Sequence, residues 1–268
     1  MYHRAKFYNR LIVKGELVLL KPLHTGRAGE DIYPGVTENQ VLRDSSGRPF
    51  IPGSSLKGVL RSFTESLLYD EDGEKSKSCL STSQPCLDKD EVKKIKEQWL
   101  KDPEQLFRKI YERLCPVCRT YGHQQFAGKV LFEDLDLIEE TYPGVTEVRA
   151  GVAIERESGT AAEGKKFETE AVPAGTKFRF SLTAENLTAE EMGVLLLGLS
   201  ALSRGEIYLG GMKSRGFGRV QLQEGRVIEI NGTEAYIDFL LRSEDEEEGK
   251  DLASFLQEKE ELILNLVR

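Results

Sequence analysis

The sequence of 268 residues contains no apolar run approaching the roughly 20 residues that a membrane-spanning helix needs. The first residues, Met1 to Lys6, also lack the apolar stretch of a secretory signal. Hydrophobic residues make up 39% and charged residues 31% of the chain, a composition typical of globular proteins with a sizeable core. We therefore expect a cytoplasmic protein that has no membrane partner.

Histidine is scarce, and the three residues His3, His24 and His123 lie in unrelated sequence contexts. General acid–base catalysis by histidine needs a partner group within hydrogen-bond reach, so this distribution predicts no catalytic pair. The G-x-x-x-x-G-K-[ST] pattern is also missing, which argues against hydrolysis of nucleoside triphosphates.

Positive charge is in deficit, since the net charge is -8. Residues 241–268 hold nine acidic and four basic residues, so most of the excess lies at the C-terminal end. The acidic run Glu244 to Glu248 is typical of a solvated linker, and an amphipathic helix from about Asp251 to Leu264 should follow it. We therefore divide the chain into a main domain, residues 1–240, and an acidic linker with a C-terminal helix, residues 241–268.

Hydrophobic periodicity in the main domain predicts strands and helices in the order β, α, β, β, α, β. The predicted strands are 11–20, 129–137, 172–183 and a strand, glycine loop and strand over 207–222, with a short extra strand at 40–42; the predicted helices are 55–68 and 190–203. This order indicates an α+β fold of ferredoxin-like type. Residues 69–125 are charged and predict an insertion with two short helices, 90–101 and 103–114.

All four cysteines lie in this insertion, at Cys79, Cys86, Cys115 and Cys118. The last two form a C-x2-C pair, the spacing of a zinc knuckle, and four thiolates suit tetrahedral Zn²⁺. Such a closed site would be structural, because no position is left for a water nucleophile. A redox pair and unrelated buried thiols remain alternatives, as does replacement of one cysteine ligand by His123.

Two glycine-rich segments concentrate basic residues. In 209–220 glycines would let a polyanion approach main-chain N–H groups, and lysine and arginine supply charge; the candidate residues there are Gly210, Gly211, Lys213, Ser214, Arg215 and Gly216. In 51–61 a helix begins at Ser54 and Ser55, placing free N–H groups near Lys57 and Arg61. A tight hairpin and an ordinary capped helix are the alternatives, but two such segments together favour RNA binding.

These segments resemble the signature motifs of the RAMP superfamily, in particular the backbone subunit of type III CRISPR effector complexes. The matching stretches are Pro52 to Ser62 with Arg43-Asp44 upstream, Gly210 to Val220, Leu23-His-Thr-Gly, Cys118-Arg-Thr-Tyr-Gly, Leu131-Phe-Glu-Asp and Val172 to Phe178. The resemblance covers residues 11–222. It implies a modified RRM-like core and a β-hairpin thumb, at about residues 145–172, that kinks the guide at regular intervals.

The resemblance also implies partners: CRISPR RNA, complementary target RNA, further copies of this chain and other effector subunits. It also implies that the two glycine-rich segments and Arg43 contact RNA. His24, beside the end of the first predicted strand, could contact a base or phosphate, or could hold a loop.

Cleaving members of this family carry an aspartate six residues before the Asp of the Arg-Asp pair, and here, counting back from Asp44, that position is Glu38. Either Glu38 supports cleavage of target RNA with Mg²⁺ or a similar divalent ion, or the subunit only binds RNA. A third possibility is a stand-alone ribonuclease that processes repeat RNA. The N-terminal histidine setting usual for that activity is not evident.

Overall fold

A computed structural model of the chain describes residues 6–26, 39–71, 76–242 and 249–268. The fold is mixed α+β with a mainly antiparallel sheet, as the element order predicts. The N-terminal strand β1, Asn9–Leu19, lies in the middle of that sheet. Its residues alternate between polar and apolar, so Leu11, Val13 and Leu17 enter the core.

The main sheet has the strand order β10–β9–β1–β7–β4, and β8 also pairs with β9. The partner strands are β4 Val130–Phe132, β7 Lys177–Glu185, β8 Ile207–Tyr208, β9 Arg219–Asn231 and β10 Lys250–Asp251. The fourth strand of the predicted pattern, β9, therefore lies beside the first, β1. Every pairing between strands in this sheet is antiparallel.

Two helices pack with the sheet into one core, α1 Gly53–Leu68 and α5 Ala189–Ser203. Helix α5 is apolar on nearly all sides, as expected of a helix buried in a core. It begins with a capping box in which Thr188 and Glu191 satisfy each other's backbone N–H groups. Both helices begin and end within two residues of their predicted bounds.

The insertion forms a small unit with its own apolar cluster. Its elements are α2 Lys89–Trp99, α3 Pro103–Arg113, α4 Pro116–Tyr121, β2 Gly122–His123 and β3 Phe126–Ala127. The rings of Phe107, Tyr111 and Phe126 lie 5.5 to 6.1 Å apart, measured between centroids. The short helix α4 was not predicted, because six residues carry too little periodicity to reveal it.

The residues expected to form a thumb make a two-stranded antiparallel ribbon of β5 Glu147–Ile154 and β6 Ala161–Ala171. The predicted strand 172–183 is in fact divided. Its first residues make the turn at Gly175, where φ is 89°, and β7 begins only at Lys177. The third predicted strand, 129–137, is likewise shorter than expected, because pairing with β7 extends only from Val130 to Phe132.

The C-terminal region contains helix α6, Thr233–Leu241, and two short helices in place of the one predicted. These are α7 Leu252–Glu258 and α8 Glu260–Leu264, and Lys259 lies between them. Leu252 and Phe255 of α7 are buried in the main core. Among the helices of the described residues, none is both long and apolar enough to cross a bilayer.

Candidate nucleic-acid interface

The two glycine-rich segments face each other across one groove of about 620 Å³. One wall is the exposed face of α1, with Ser54, Ser55 and Ser62; the other holds Tyr208, Gly210 and Lys213. Four hydroxyl-bearing side chains, the backbone of Gly210 and an ammonium group therefore border the same space, together with the carboxylate-bearing Glu206. This is the chemistry that binds a sugar–phosphate chain.

The glycine-rich loop between β8 and β9 is held close to the residues that follow β1. Gly210 has φ of 69°, and an added Cβ would lie 2.2 Å from the carbonyl oxygen of His24. The amide of Gly211 donates to that same oxygen at 3.0 Å, and the amide of Gly218 donates to Pro22 O at 2.8 Å. The glycines therefore meet both requirements considered from sequence, positive φ and close approach, and here the close partner is the protein's own backbone.

The first turn of α1 is anchored by an aspartate from another element. The amide of Gly53 donates to Asp134 Oδ1 at 2.8 Å, while Pro52 makes no side-chain cap. A Cβ at Gly53 would lie 2.5 Å from the carbonyl oxygens of Phe132 and Glu133, so only glycine fits there. The exposed Ser54 and half-buried Ser55 are left to face the groove.

Lys57 and Arg61 lie on a different face of α1 and line a second groove of about 830 Å³ against the cysteine-containing insertion. Arg61 is bound there, by Glu65 Oε1 at 2.8 Å and by Gly122 O at 2.9 Å. Burial and the neighbouring charge of Arg61 lower the pKa of Lys57. These two cations therefore do not share a groove with Lys213.

His24 and Arg43 meet at Glu170, at the base of the hairpin. The Nδ1 atom of buried His24 lies 2.8 Å from Glu170 O, and Arg43 pairs with the Glu170 carboxylate. That carboxylate also accepts from the amide of Val41 at 2.9 Å and from Thr146. Although burial acts to raise it, these partners hold the pKa of Glu170 below its ordinary value. His24 is thus buried and bound through Nδ1 to the backbone of the hairpin.

A reciprocal pair of cation–π contacts connects the hairpin to the glycine-rich loop, and we call it the clasp. The hairpin's Arg149 lies over the ring of Phe217 at 4.7 Å, while the loop's Arg215 lies over the hairpin's Phe167 at 5.0 Å. Each element thus supplies one ring and one guanidinium. Sequence reasoning assigned Arg215 to RNA and predicted neither of these contacts, because no local pattern reveals a contact between distant segments.

The four cysteine sulfurs lie within 4.8 Å of one another, so together they could hold a metal ion. The backbone amides of Cys115 and Cys118 donate to the sulfurs of Cys86 and Cys115 at 3.2 and 3.4 Å, the arrangement expected of thiolate acceptors. Hydrogen bonds from Cys115 lower the pKa of Cys79, whereas Cys115 raises the pKa of Cys118. His123 is outside this group of four.

A buried charged network joins the insertion to the core and was not predicted. Lys129 Nζ lies 2.7 Å from Glu191 Oε2, and the Tyr111 hydroxyl donates to the same carboxylate. Glu191 has no exposed surface and Lys129 only 8% of its side chain exposed. The T-x-x-E capping box at Thr188 is the sequence signal that could have located Glu191.

Comparison with known proteins agrees with this geometry. The family model of the RAMP superfamily matches residues 16–221. The chain belongs to the RAMP superfamily. Both glycine-rich segments fall inside the RAMP match, as does the whole cysteine insertion. The candidate catalytic residue Glu38 also lies within the matched range but outside the described residues, so its surroundings and any Mg²⁺ site there stay predictions.

Similar proteins from several organisms share one name. The CRISPR system Cms endoribonuclease Csm3 of Methanocaldococcus jannaschii is 26% identical over 232 residues, covering 82% of this chain and 81% of its own. That of Methanothermobacter thermautotrophicus is 24% identical over 250 residues, covering 84% and 88%. The protein of that name from Enterococcus italicus is 41% identical over 56 residues, 20% of this chain and 26% of its own.

Proposed function

We propose that this RAMP protein is a guide-RNA-binding backbone subunit of a type III CRISPR effector complex. The observation that carries the proposal is the convergence of the α1 N-terminus and the glycine-rich loop on one groove. The name shared by relatives that match more than four fifths of the chain supports the same assignment. Its partners would be CRISPR RNA, complementary target RNA, other effector subunits and further copies of itself.

In this proposal the groove holds the sugar–phosphate backbone of the guide. Lys213 supplies charge to a phosphate, Ser54 and Ser55 donate hydroxyl hydrogen bonds, and Gly210 lines the same groove. None of these groups reads base identity, so binding is independent of sequence and weakens with salt. Lys57, from the second groove, would add charge to an RNA that crosses α1.

We also propose that the core is of the ferredoxin-like, modified RRM type, with the ribbon as a thumb. The element order β, α, β, β, α, β and the strand order in which β9 lies beside β1 support this assignment. The clasp supports a thumb whose base is fixed against the RNA groove.

The cysteine group is proposed to bind structural Zn²⁺. Four sulfur donors suit zinc, and a closed set of four leaves no coordination position for catalysis. Such an ion stabilises a unit whose own apolar cluster is small. Its role is therefore to shape the second groove and not to cut RNA.

A second candidate function is cleavage of the target RNA, favoured by the word endoribonuclease in the name of the relatives. Glu38 would then place a divalent ion such as Mg²⁺ at the scissile phosphate. Incubation of the assembled complex with complementary RNA and Mg²⁺ should give cuts at regular spacing that vanish in Glu38→Ala. Intact target in the wild-type reaction would leave binding as the sole function.

RNA that copurifies with the protein from its native cells tests the main proposal. Short RNAs of uniform length with shared 5' ends are expected, and RNA no richer than in an untagged control would refute it. Lys213→Glu should weaken binding for every guide sequence and reduce the salt slope by about 1. Lys94→Glu, the same change on the exposed side of α2, is the control and should behave as wild type.

A further inference from the structure

Arg61 is bound on three sides, and two of its partners belong to the cysteine-containing insertion. Its Nε atom donates to Glu65 Oε1 at 2.8 Å, one turn further along α1. Its two terminal nitrogens donate to Gly122 O at 2.9 Å and to Cys118 Sγ at 3.5 Å. Only 21% of the side chain is exposed. The planar guanidinium is thus held by the protein and directed at a sulfur.

The two contacts in the insertion lie at one short helix. Cys115 caps the N-terminus of α4, Cys118 is inside it, and Gly122 is its C-cap residue. Arg61 therefore reaches both the second sulfur of the C-x2-C pair and the carbonyl that follows the helix. One side chain from the core helix α1 thus contacts this short helix at two points.

The cations next to the cysteines in sequence point elsewhere. Lys77, two residues before Cys79, has its Nζ atom 2.9 Å from Glu190 Oε1. Arg119, the residue after Cys118, donates to Tyr111 O at 3.1 Å and lies 3.9 Å from Glu190 Oε2. Glu190 therefore pairs with both of these cations. The cation that contacts Cys118 Sγ is Arg61, from a distant part of the chain.

A metal ion held by four thiolates leaves negative charge in excess on the sulfurs, and hydrogen bonds from surrounding groups stabilise and orient such ligands. We propose that Arg61 is an outer-shell donor to the Cys118 thiolate, a positioning residue that couples α1 to the metal site. This inference rests on the zinc site proposed above. It replaces the assignment of Arg61 as an RNA ligand, because its guanidinium is already bound.

The coupling has a structural consequence at the RNA groove. Helix α1 presents Ser54 and Ser55 to one groove and Arg61 to the other. Metal binding at the cysteines thereby holds the same helix whose first turn would contact the guide. Substitution of Arg61 should therefore weaken metal binding directly, and should affect RNA binding only as a consequence.

The test measures how tightly the full-length protein holds Zn²⁺ against a competing chelator. Loss of an outer-shell partner typically weakens metal binding 10- to 100-fold, and Arg61→Met should fall in this range. The matched control is Arg108→Met on α3. Arg108 forms the same kind of i,i+4 pair, with Glu112 at 2.8 Å, and makes no contact with a cysteine in the part of the chain described. Its zinc affinity should equal that of wild type.

Two further measurements keep the outcome decisive. Arg61→Lys retains the charge but has all its donors on one nitrogen, so it cannot reproduce the planar fork by which three separate nitrogens reach their acceptors. It should fold and still lose zinc more readily than wild type. Cobalt substitution reads the ligand set directly, and its thiolate charge-transfer band should shift in the Arg61 variants but not in Arg108→Met. Zinc retention and cobalt spectra equal to wild type in both Arg61 variants would overturn the inference. A wild-type chain that purifies without metal, and takes none up, would instead refute the zinc site itself.

Discussion

Single residues in the glycine-rich loop determine whether its wall of the groove can form. Gly210 and Gly216 both have positive φ, 69° and 84°, but differ in their surroundings. An added Cβ meets the His24 carbonyl oxygen at the first position and nothing within 4 Å at the second. Alanine at Gly216 would therefore cause backbone strain alone, whereas alanine at Gly210 would cause both strain and a steric clash.

Gly216→Ala should lower the free energy of unfolding by about 1 kcal/mol, the cost of a left-handed alanine. Gly210→Ala should lower it by about 3 kcal/mol or more, because the loop must also move away from His24. Chemical denaturation of the two variants measures the difference. Equal losses would mean that the close contact between loop and His24 is absent in solution.

The buried pair of Lys129 and Glu191 should behave as a coupled unit. Lys129→Met leaves a buried carboxylate without its cation, so the free energy of unfolding should fall by about 3 to 5 kcal/mol. The double variant Lys129→Met/Glu191→Met should cost less than the sum of the two single changes. Denaturant unfolding of all three proteins gives the coupling, and strict additivity would contradict it.

Glu170 should make the base of the hairpin sensitive to acid. Its pKa is lowered in the folded protein from an ordinary value of 4.5. The stabilisation is therefore complete above about pH 4.5 and is lost as the pH falls through the lower, folded pKa. Unfolding measured from neutral to acid pH should show this loss in wild type. Glu170→Gln should remove that part of the pH dependence, and an unchanged profile would exclude Glu170 as its source.

At the scale of the elements, the hairpin pairs with itself and not with the main sheet. Its strands pair with each other, and the clasp and the contacts of Glu170 hold its base. Gly151 lies under the ring of Phe167, where an added Cβ would come within 2.2 Å of ring carbon Cζ. The ring thus fills the space of a missing side chain while its guanidinium partner Arg215 comes from the loop.

Phe167→Leu should loosen this element alone. Loss of the cation–π contact should lower the opening free energy of the hairpin amides by about 0.5 to 2 kcal/mol, seen as faster hydrogen exchange. Amides of β1 and β7 should be unaffected. Ile154→Ala, at a position with 65% exposure on the same hairpin, is the control. Equal exchange in both variants would show that the clasp does not hold the hairpin.

The elements were predictable in proportion to their length and periodicity. Helices α1 and α5 have long apolar patterns, and α5 also has a capping box, so sequence placed them within two residues. Helix α4 and the split between α7 and α8 depend on tertiary contacts, which local patterns do not carry. The predicted strand 172–183 missed a turn because Val172 remains buried and extended beside Leu23.

At the scale of the whole molecule, the sequence predicted that two segments would bind RNA. It did not predict that the candidate residues of α1 lie on two faces of the helix and line two different grooves. The helical spacing contained that information. Ser54, Gly58 and Ser62 recur every four residues on one face, and Lys57 and Arg61 do so on the next. Convergence of the first face with the glycine-rich loop, in contrast, depends on sheet order and could not be read locally.

Metal removal should unfold one part of the molecule before the rest. The insertion's apolar cluster includes Cys79 and Cys118, so chelation should loosen residues 77–127 and leave the main sheet intact. Limited proteolysis should then cut first in the insertion, as it should in Cys86→Ser without chelator. A cleavage pattern unaffected by chelator would mean that the unit is stable without metal.

In an assembly whose copies touch through the hairpin, the length of its free arm would limit the distance between copies. Beyond the pairing of Gly151 with Phe167, the chain runs out and back over residues 152–166. At about 3.3 Å per residue this arm extends roughly 20 Å. The length of β5 and β6 would therefore set the repeat distance of any ordered array built through that arm. Lengthening both strands equally would increase this repeat distance.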